Sequence, residues 1–324
     1  NGNSRFNFIF NSYYKGIGAH NNQANRGMVS RPTVDEILDY KCQVDELIMS
    51  KIDDESFDYR ALELGIHHEK QHQELIVMDL KFILSQSLGF IDREEKFLPY
   101  RPKKTCDNQW HKFTGSIEEF GISGHHEFFF DNESPKHRQI IRSFEIHMGY
   151  VTNAEYLEFI NANGYDNPSL WLSDGWDWLK ENNINSPLYW LRDNDIWQEN
   201  VFGVAEKIDL DAPVAHISYY EADAYAKFRQ MRLPSEFELE LLLRQMPMSQ
   251  LWLWSNSPYQ PYPGFKPFEG FASEYNGKFM SGQMTMRGGC VATPHRHYRP
   301  TYRNFYRPED RWMFSGIRLA KDAL

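Results

Sequence analysis

Near Tyr100-Arg-Pro-Lys-Lys-Thr105 the chain changes character, and the two sides call for different architectures. Ahead of this segment, apolar residues recur every three or four positions, the period of a helix with one buried stripe. Thr33-Val-Asp-Glu36, just after Pro32, has capping-box spacing and opens one helix bearing Val34, Ile37, Leu38, Val44, Leu47 and Ile48. A second helix is expected from about Tyr59 to about Leu84, with Leu62, Ile66, Leu75, Ile76 and Leu80 as its apolar contacts. Such helices need a bundle to bury their stripes. Beyond the segment, helical periodicity is scarce. Short aromatic and β-branched stretches alternate with Gly, Pro, Asn and Asp turns. Two helices are expected there, one from near Thr152-Asn153 and one from near Ser218, the latter ended by Arg232-Leu-Pro-Ser235. The spacing thus predicts two domains, a helical one over 1–104 and an irregular α+β one over 105–324.

Composition narrows the class. With 9 Trp, 18 Tyr and 23 Phe among 324 residues, the chain has the side chains to fill large cores and does not read as disordered. Its 35 basic and 45 acidic residues give a formal net charge of -10, which argues against a general nucleic-acid or anionic-membrane binder. No apolar run approaches the roughly 18 residues that span a bilayer. Cys42, Cys106 and Cys290 lie far apart, with no CxxC, and point to a reducing, cytoplasmic compartment rather than a disulfide scaffold. Trp171, Trp176, Trp178 and Trp190 are expected to pack under loops, and Arg287-Gly288-Gly289 and Arg318 to be structural. His125-His126 and His295-x-His297 lack a matching ligand set and read as surface or hydrogen-bonding histidines.

The segment Ile66-His-His-Glu-Lys-Gln-His-Gln-Glu74 is the sharpest local feature. His68 and His72 are four apart on the expected helix, so their rings share one face, a spacing that suits two cis ligands of iron, zinc, copper or nickel. Charged helices also carry such pairs by chance. Gln71 can point into the same space, and Glu69 and Glu74 are candidates to orient the ring N–H groups. Because Glu69 follows His68, the string formally matches the His-Glu-x-x-His of zinc proteases, whose Glu activates a zinc-bound water.

The wider context resembles the ergothioneine-biosynthesis sulfoxide synthases. The resemblance is carried in order by Phe10-Asn-Ser-Tyr-Tyr14, Arg26-Gly-Met-Val-Ser-Arg-Pro-Thr33 and the HxxxHxE string His68 to Glu74. It continues through Phe130-Asp-Asn-Glu-Ser-Pro135, Val151-Thr-Asn-Ala-Glu-Tyr156 and Pro213-Val-Ala-His-Ile-Ser-Tyr-Tyr-Glu-Ala222. Arg232-Leu-Pro-Ser-Glu236, Glu274-Tyr-Asn-Gly-Lys-Phe-Met280, Arg287-Gly-Gly289, Tyr302-Arg-Asn-Phe305 and Trp312-Met-Phe-Ser-Gly-Ile-Arg-Leu319 complete it. It implies an N-terminal DinB-like helical bundle, here incomplete. A domain like the formylglycine-generating enzyme follows, with a C-type-lectin-like core. It also implies Fe(2+), O2, and C–S bond formation between a thiol and the imidazole C2 of hercynine (Nα-trimethylhistidine), giving a sulfoxide.

Residue by residue, the resemblance implies that His68 and His72 bind iron. The family's third histidine lies upstream of the segment matching Phe10 to Tyr14, so that ligand is expected upstream of Asn1. Tyr13 and Tyr14 match the tyrosine pair of the cysteine-using branch and are expected to be catalytic, a phenol being able to donate a proton near iron. Gln71 is expected to meet the imidazole of hercynine. Arg26 and Arg31 are expected to meet the carboxylate of the sulfur substrate, cysteine or γ-glutamylcysteine. Asn304, Phe305 and Tyr306 are expected in a loop facing the iron helix, where aromatic faces suit a trimethylammonium group. Rival readings are a selenium–carbon bond-forming homologue, an ovothiol-type synthase, a zinc protease and a non-catalytic ligand-binding module.

Overall fold

The computed structural model describes residues 4–11, 30–86, 100–104, 109–124 and 128–323. Tyr13, Tyr14 and Arg26 lie outside the described residues, as do Cys106, His125 and His126.

Three helices come first: α1 (Ser4–Phe10), α2 (Val34–Lys51) and α3 (Tyr59–Ser85). α2 starts where the capping box places it. Thr33 Oγ1 accepts from the Glu36 amide at 3.2 Å, and Glu36 accepts in return from the Thr33 amide at 2.7 Å. Asp58 caps α3 through the Ala61 amide. Phe6 and Phe10 of α1 stack on Tyr40 of α2, with ring centroids 4.4 and 6.0 Å apart.

The long helix α3 departs from the expectation in the face it buries. Its buried residues are Leu64, His67, Glu74, Met78 and Lys81. Ile66, Ile76 and Leu80 are instead exposed. The reason is its partner. α3 lies against the β-rich unit that follows, whose wall offers hydrogen-bonding groups as well as apolar ones, so a mixed polar stripe is satisfied there. α2 buries no residue.

The second unit opens with β1 (Trp110–Phe113), β2 (Ser116–Phe120), β3 (His137–Ile141) and β4 (Phe144–His147), followed by α4 (Asn153–Asn161) and α5 (Ser173–Glu181). Next come β5 (Trp190–Asp193), β6 (Ile196–Val201), β7 (Val204–Lys207), α6 (Tyr219–Phe228) and α7 (Glu236–Leu243). It closes with β8 (Trp252–Pro258), β9 (Met284–Arg287), β10 (Asn304–Tyr306), β11 (Ser315–Gly316) and β12 (Ala320–Asp322). The strands form four small sheets, ordered β1-β4-β12, β10-β9-β8-β11, β2-β3 and β5-β6-β7. The result is an α+β chain: a helical region, then a β-rich unit of the C-type-lectin-like kind.

α4 and α6 are the two expected helices. α5 and α7 are additional. Ser235, read as part of a stop, is the N-cap of α7, with Glu238 closing its capping box. α7 buries charged and apolar residues alike, so it shows no amphipathic period. Its Glu236 and Glu240 meet the buried Arg303 and Arg287. Arg318 packs on the Tyr150 ring at 4.2 Å. Among the described residues no helix is long and apolar enough to cross a membrane.

Candidate active site

The i,i+4 spacing on α3 brings the Nε2 atoms of His68 and His72 to 3.2 Å of each other. Two ring nitrogens each about 2.1 Å from one metal ion would be about 3.0 Å apart at a right angle and about 3.4 Å apart at a tetrahedral one. The pair therefore fits as two adjacent ligands of a single ion. Burial, and next the neighbouring His72, push the His68 pKa down to about 4, which keeps its ring neutral and its lone pair available. Among the described residues no group of three or more His, Cys, Asp or Glu side chains is arranged to hold a metal ion, so the pair is a partial set.

Gln71 precedes His72 and is held from both sides. Tyr275 donates to its oxygen at 2.5 Å, and its nitrogen donates to the Tyr302 hydroxyl at 2.9 Å. His68, Gln71 and His72 form one wall of a cavity of about 250 Å³. Asn304, Phe305 and Tyr306 form part of another wall, on β10 rather than in the expected loop. Phe305 stacks on Tyr259 at 4.1 Å, and Phe130 on Tyr275 at 5.4 Å, so the aromatic walls are themselves packed from behind.

The two glutamates do not do what their spacing suggested. Glu74 turns into the second unit, where it accepts from the Trp252 indole N–H and the Thr293 hydroxyl, both at 2.6 Å. Burial raises its pKa. Glu69 is exposed and lines no part of the cavity, which removes the geometric basis for a zinc-protease reading, since that chemistry needs this carboxylate on the metal-bound water. Arg31 is exposed just ahead of α2 and is likewise not part of the cavity.

Sequence reasoning passed over several residues here. Tyr275 and Tyr302 lay inside quoted segments without a role. His297, read only as a surface or hydrogen-bonding histidine, is fully buried. Its Nε2 is 3.1 Å from the Tyr302 hydroxyl, and its Nδ1 is 2.9 Å from Nδ1 of His67. Burial, then Arg299, push the His297 pKa down to about 3. No local signal marks such residues, because the contacts that tie them to α3 span over 200 positions. A larger cavity of about 840 Å³ beside Arg101 and Trp190 shares no lining residue with the histidine cavity.

A helix carrying paired histidines across the face of a C-type-lectin-like unit is the general class that fold and cavity define. Residues 114–260 match the sulfatase-modifying factor enzyme 1-like domain. The chain is 32% identical over 242 residues to the hercynine oxygenase of Mycolicibacterium smegmatis, covering 59% of this chain and 56% of that one. It is 28% identical over 320 residues to that of Mycolicibacterium thermoresistibile (83% and 70%), and 29% identical over 245 residues to that of Mycobacterium tuberculosis (59% and 56%). The chain is therefore similar to hercynine oxygenases over much of its length and carries a sulfatase-modifying-factor-like domain. It spans a little over half the length of two of these relatives and 70% of the third.

Proposed function

We propose that this chain acts in ergothioneine biosynthesis as a cytoplasmic, non-haem Fe(II)- and O2-dependent oxidoreductase that joins the sulfur of cysteine to the imidazole C2 of hercynine. The balance is one C–H and one S–H consumed with O2, a C–S(=O) bond formed, and one water released. The observation that carries the reading is the convergence of His68 and His72 on the cavity that also holds Gln71. Together with the hercynine oxygenase relatives, it favours a metal-dependent oxidation over simple ligand binding.

His68 and His72 would hold the iron, with a third histidine from outside the described residues. Bound iron supplies electrons to triplet O2, which closed-shell thiols and imidazoles do not do readily by themselves. The chain's own residues do the rest. Gln71, fixed by two tyrosines, keeps one N–H and one oxygen lone pair for the imidazole of hercynine. Phe305 and Tyr306 offer ring faces to its trimethylammonium group, and Asn304 a polar edge beside them. Tyr13 or Tyr14 holds the proton that is moved, and Arg26 takes the carboxylate of the thiol substrate; Arg31, exposed and off the cavity, is left without that role. The tyrosine pair and the Tyr302-Arg-Asn-Phe305 segment favour cysteine over γ-glutamylcysteine.

The test is to load metal-free protein with Fe(II) under anaerobic conditions, then add O2, hercynine and one thiol, and look for the sulfoxide by mass spectrometry. Sulfoxide with cysteine alone is the expected result. Sulfoxide only with γ-glutamylcysteine would overturn the choice of thiol. Iron bound but no product from either thiol would overturn the reaction.

A further inference from the structure

Behind the cavity wall a line of polar side chains leads away from the histidine pair into the second unit. Tyr275 donates to Gln71, Gln71 lies 2.9 Å from the Tyr302 hydroxyl, and that hydroxyl lies 3.1 Å from Nε2 of His297. Nδ1 of His297 then meets Nδ1 of His67 at 2.9 Å. A hydroxyl has one proton to give, and two ring nitrogens in contact share one proton between them, so two senses run unbroken along the line. In one sense Tyr302 accepts from Gln71 and donates to His297, which donates to His67. In the other, every donor and acceptor is exchanged, the two ends of the Gln71 amide included. Both senses need Nε2 of His297. The far end cannot swing, because His297 is fully buried and the His67 ring stacks on Phe128 at 3.9 Å.

We infer that His297 is a positioning residue which, by holding the Tyr302 hydroxyl, sets the Gln71 amide that receives the substrate's imidazole. The inference rests on the site being one that binds hercynine. It gives a buried histidine, far in sequence from the iron helix, a say in substrate affinity without touching substrate.

Two substitutions separate this role from packing. The amide of His297→Gln reaches the position of Nε2 and keeps the contact to Tyr302. The amide of His297→Asn stops at the position of Nδ1 and keeps only the contact to His67. Both lose the ring, so a packing role predicts equal effects. The expected result is that His297→Asn raises the KM for hercynine about tenfold, with the KM for the thiol unchanged within about twofold, while His297→Gln restores most of the loss. Equal effects of the two variants, or an equal rise in both KM values, would overturn the role. Should His297→Asn fail to fold, Tyr302→Phe breaks the same link while keeping a ring, and the same selective rise is expected. A second readout needs no turnover: hydrogen exchange of the 15N-labelled Gln71 side-chain amide, assigned by its loss in Gln71→Leu. Protection lost in His297→Asn and kept in His297→Gln supports the positioning even if hercynine is not the substrate. Protection unchanged in both overturns it even if hercynine is turned over.

Discussion

A histidine serves a metal only while its ring nitrogen is bare, and burial keeps that so for His68, whose pKa falls to about 4. The same burial couples the fold to acid. The folded-state values of His68 and His297 lie near 4 and 3, below the ordinary 6.5 of an unfolded chain. Between those values the unfolded chain binds more protons, so stability is fully present above about pH 6.5 and falls as the pH drops toward 4. Urea midpoints of the metal-free protein are expected to be level above about pH 7 and to decline steadily below 6.5; a level profile down to pH 4 would contradict this. His68→Ala and His72→Ala are each expected to weaken Fe(II) binding by about 100-fold or more, measured by anaerobic titration, whereas Glu69→Gln leaves it within about threefold. Much of the site was legible at this scale because its parts are local: an i,i+4 pair with Gln71 between, and the run Asn304 to Tyr306. The brackets around Gln71 were not, since Tyr275 and Tyr302 lie 204 and 231 residues away.

At the level of elements, α3 shows why a helix can be predicted well in extent and poorly in orientation. Its capping and period define where it runs, from Tyr59 to Ser85. Which face is buried depends on what it meets, and that wall is assembled from residues as far apart as Phe128 and Phe314. Lys81 makes the point. It is almost fully buried, 3.0 Å from a Glu199 carboxylate oxygen and 2.9 Å from Nε2 of His216, with its ammonium 5.0 Å from the centre of the Tyr189 ring. Burial and this lysine hold the His216 pKa well below its usual value, so that ring accepts. Removing the cation leaves a partly buried carboxylate without its partner. Lys81→Ala is expected to destabilise the protein by about 3 kcal/mol in urea unfolding. Trp252→Phe, which takes one donor from Glu74, is expected to cost about 1–3 kcal/mol.

Over the whole molecule, the boundary read near residue 105 separates two kinds of sequence, yet the physical contacts cross it. Met78 and Leu64 of α3 belong to the same apolar core as Trp252, Tyr302 and Phe314. Residues 109–323 made without α3 would expose that wall and leave Trp252 and Thr293 without the Glu74 carboxylate. Such a fragment is expected to bind a hydrophobic dye and to unfold without a cooperative transition; a sharp transition at the temperature of the full chain would refute the dependence. The broad α+β character could be read from composition and punctuation. The docking could not, because it is a property of pairs of residues distant in sequence.

That distance also has a meaning in time. Gln71 is synthesised 231 residues before Tyr302, which at about 5–20 residues per second is an interval of roughly 10 to 50 s. Throughout it, the histidine helix exists without its opposing wall. On the proposed reading, the choice of metal by this site is therefore completed only late in the life of each molecule. On that reading, cations meet the two imidazoles first on the open helix and only then in the finished cavity.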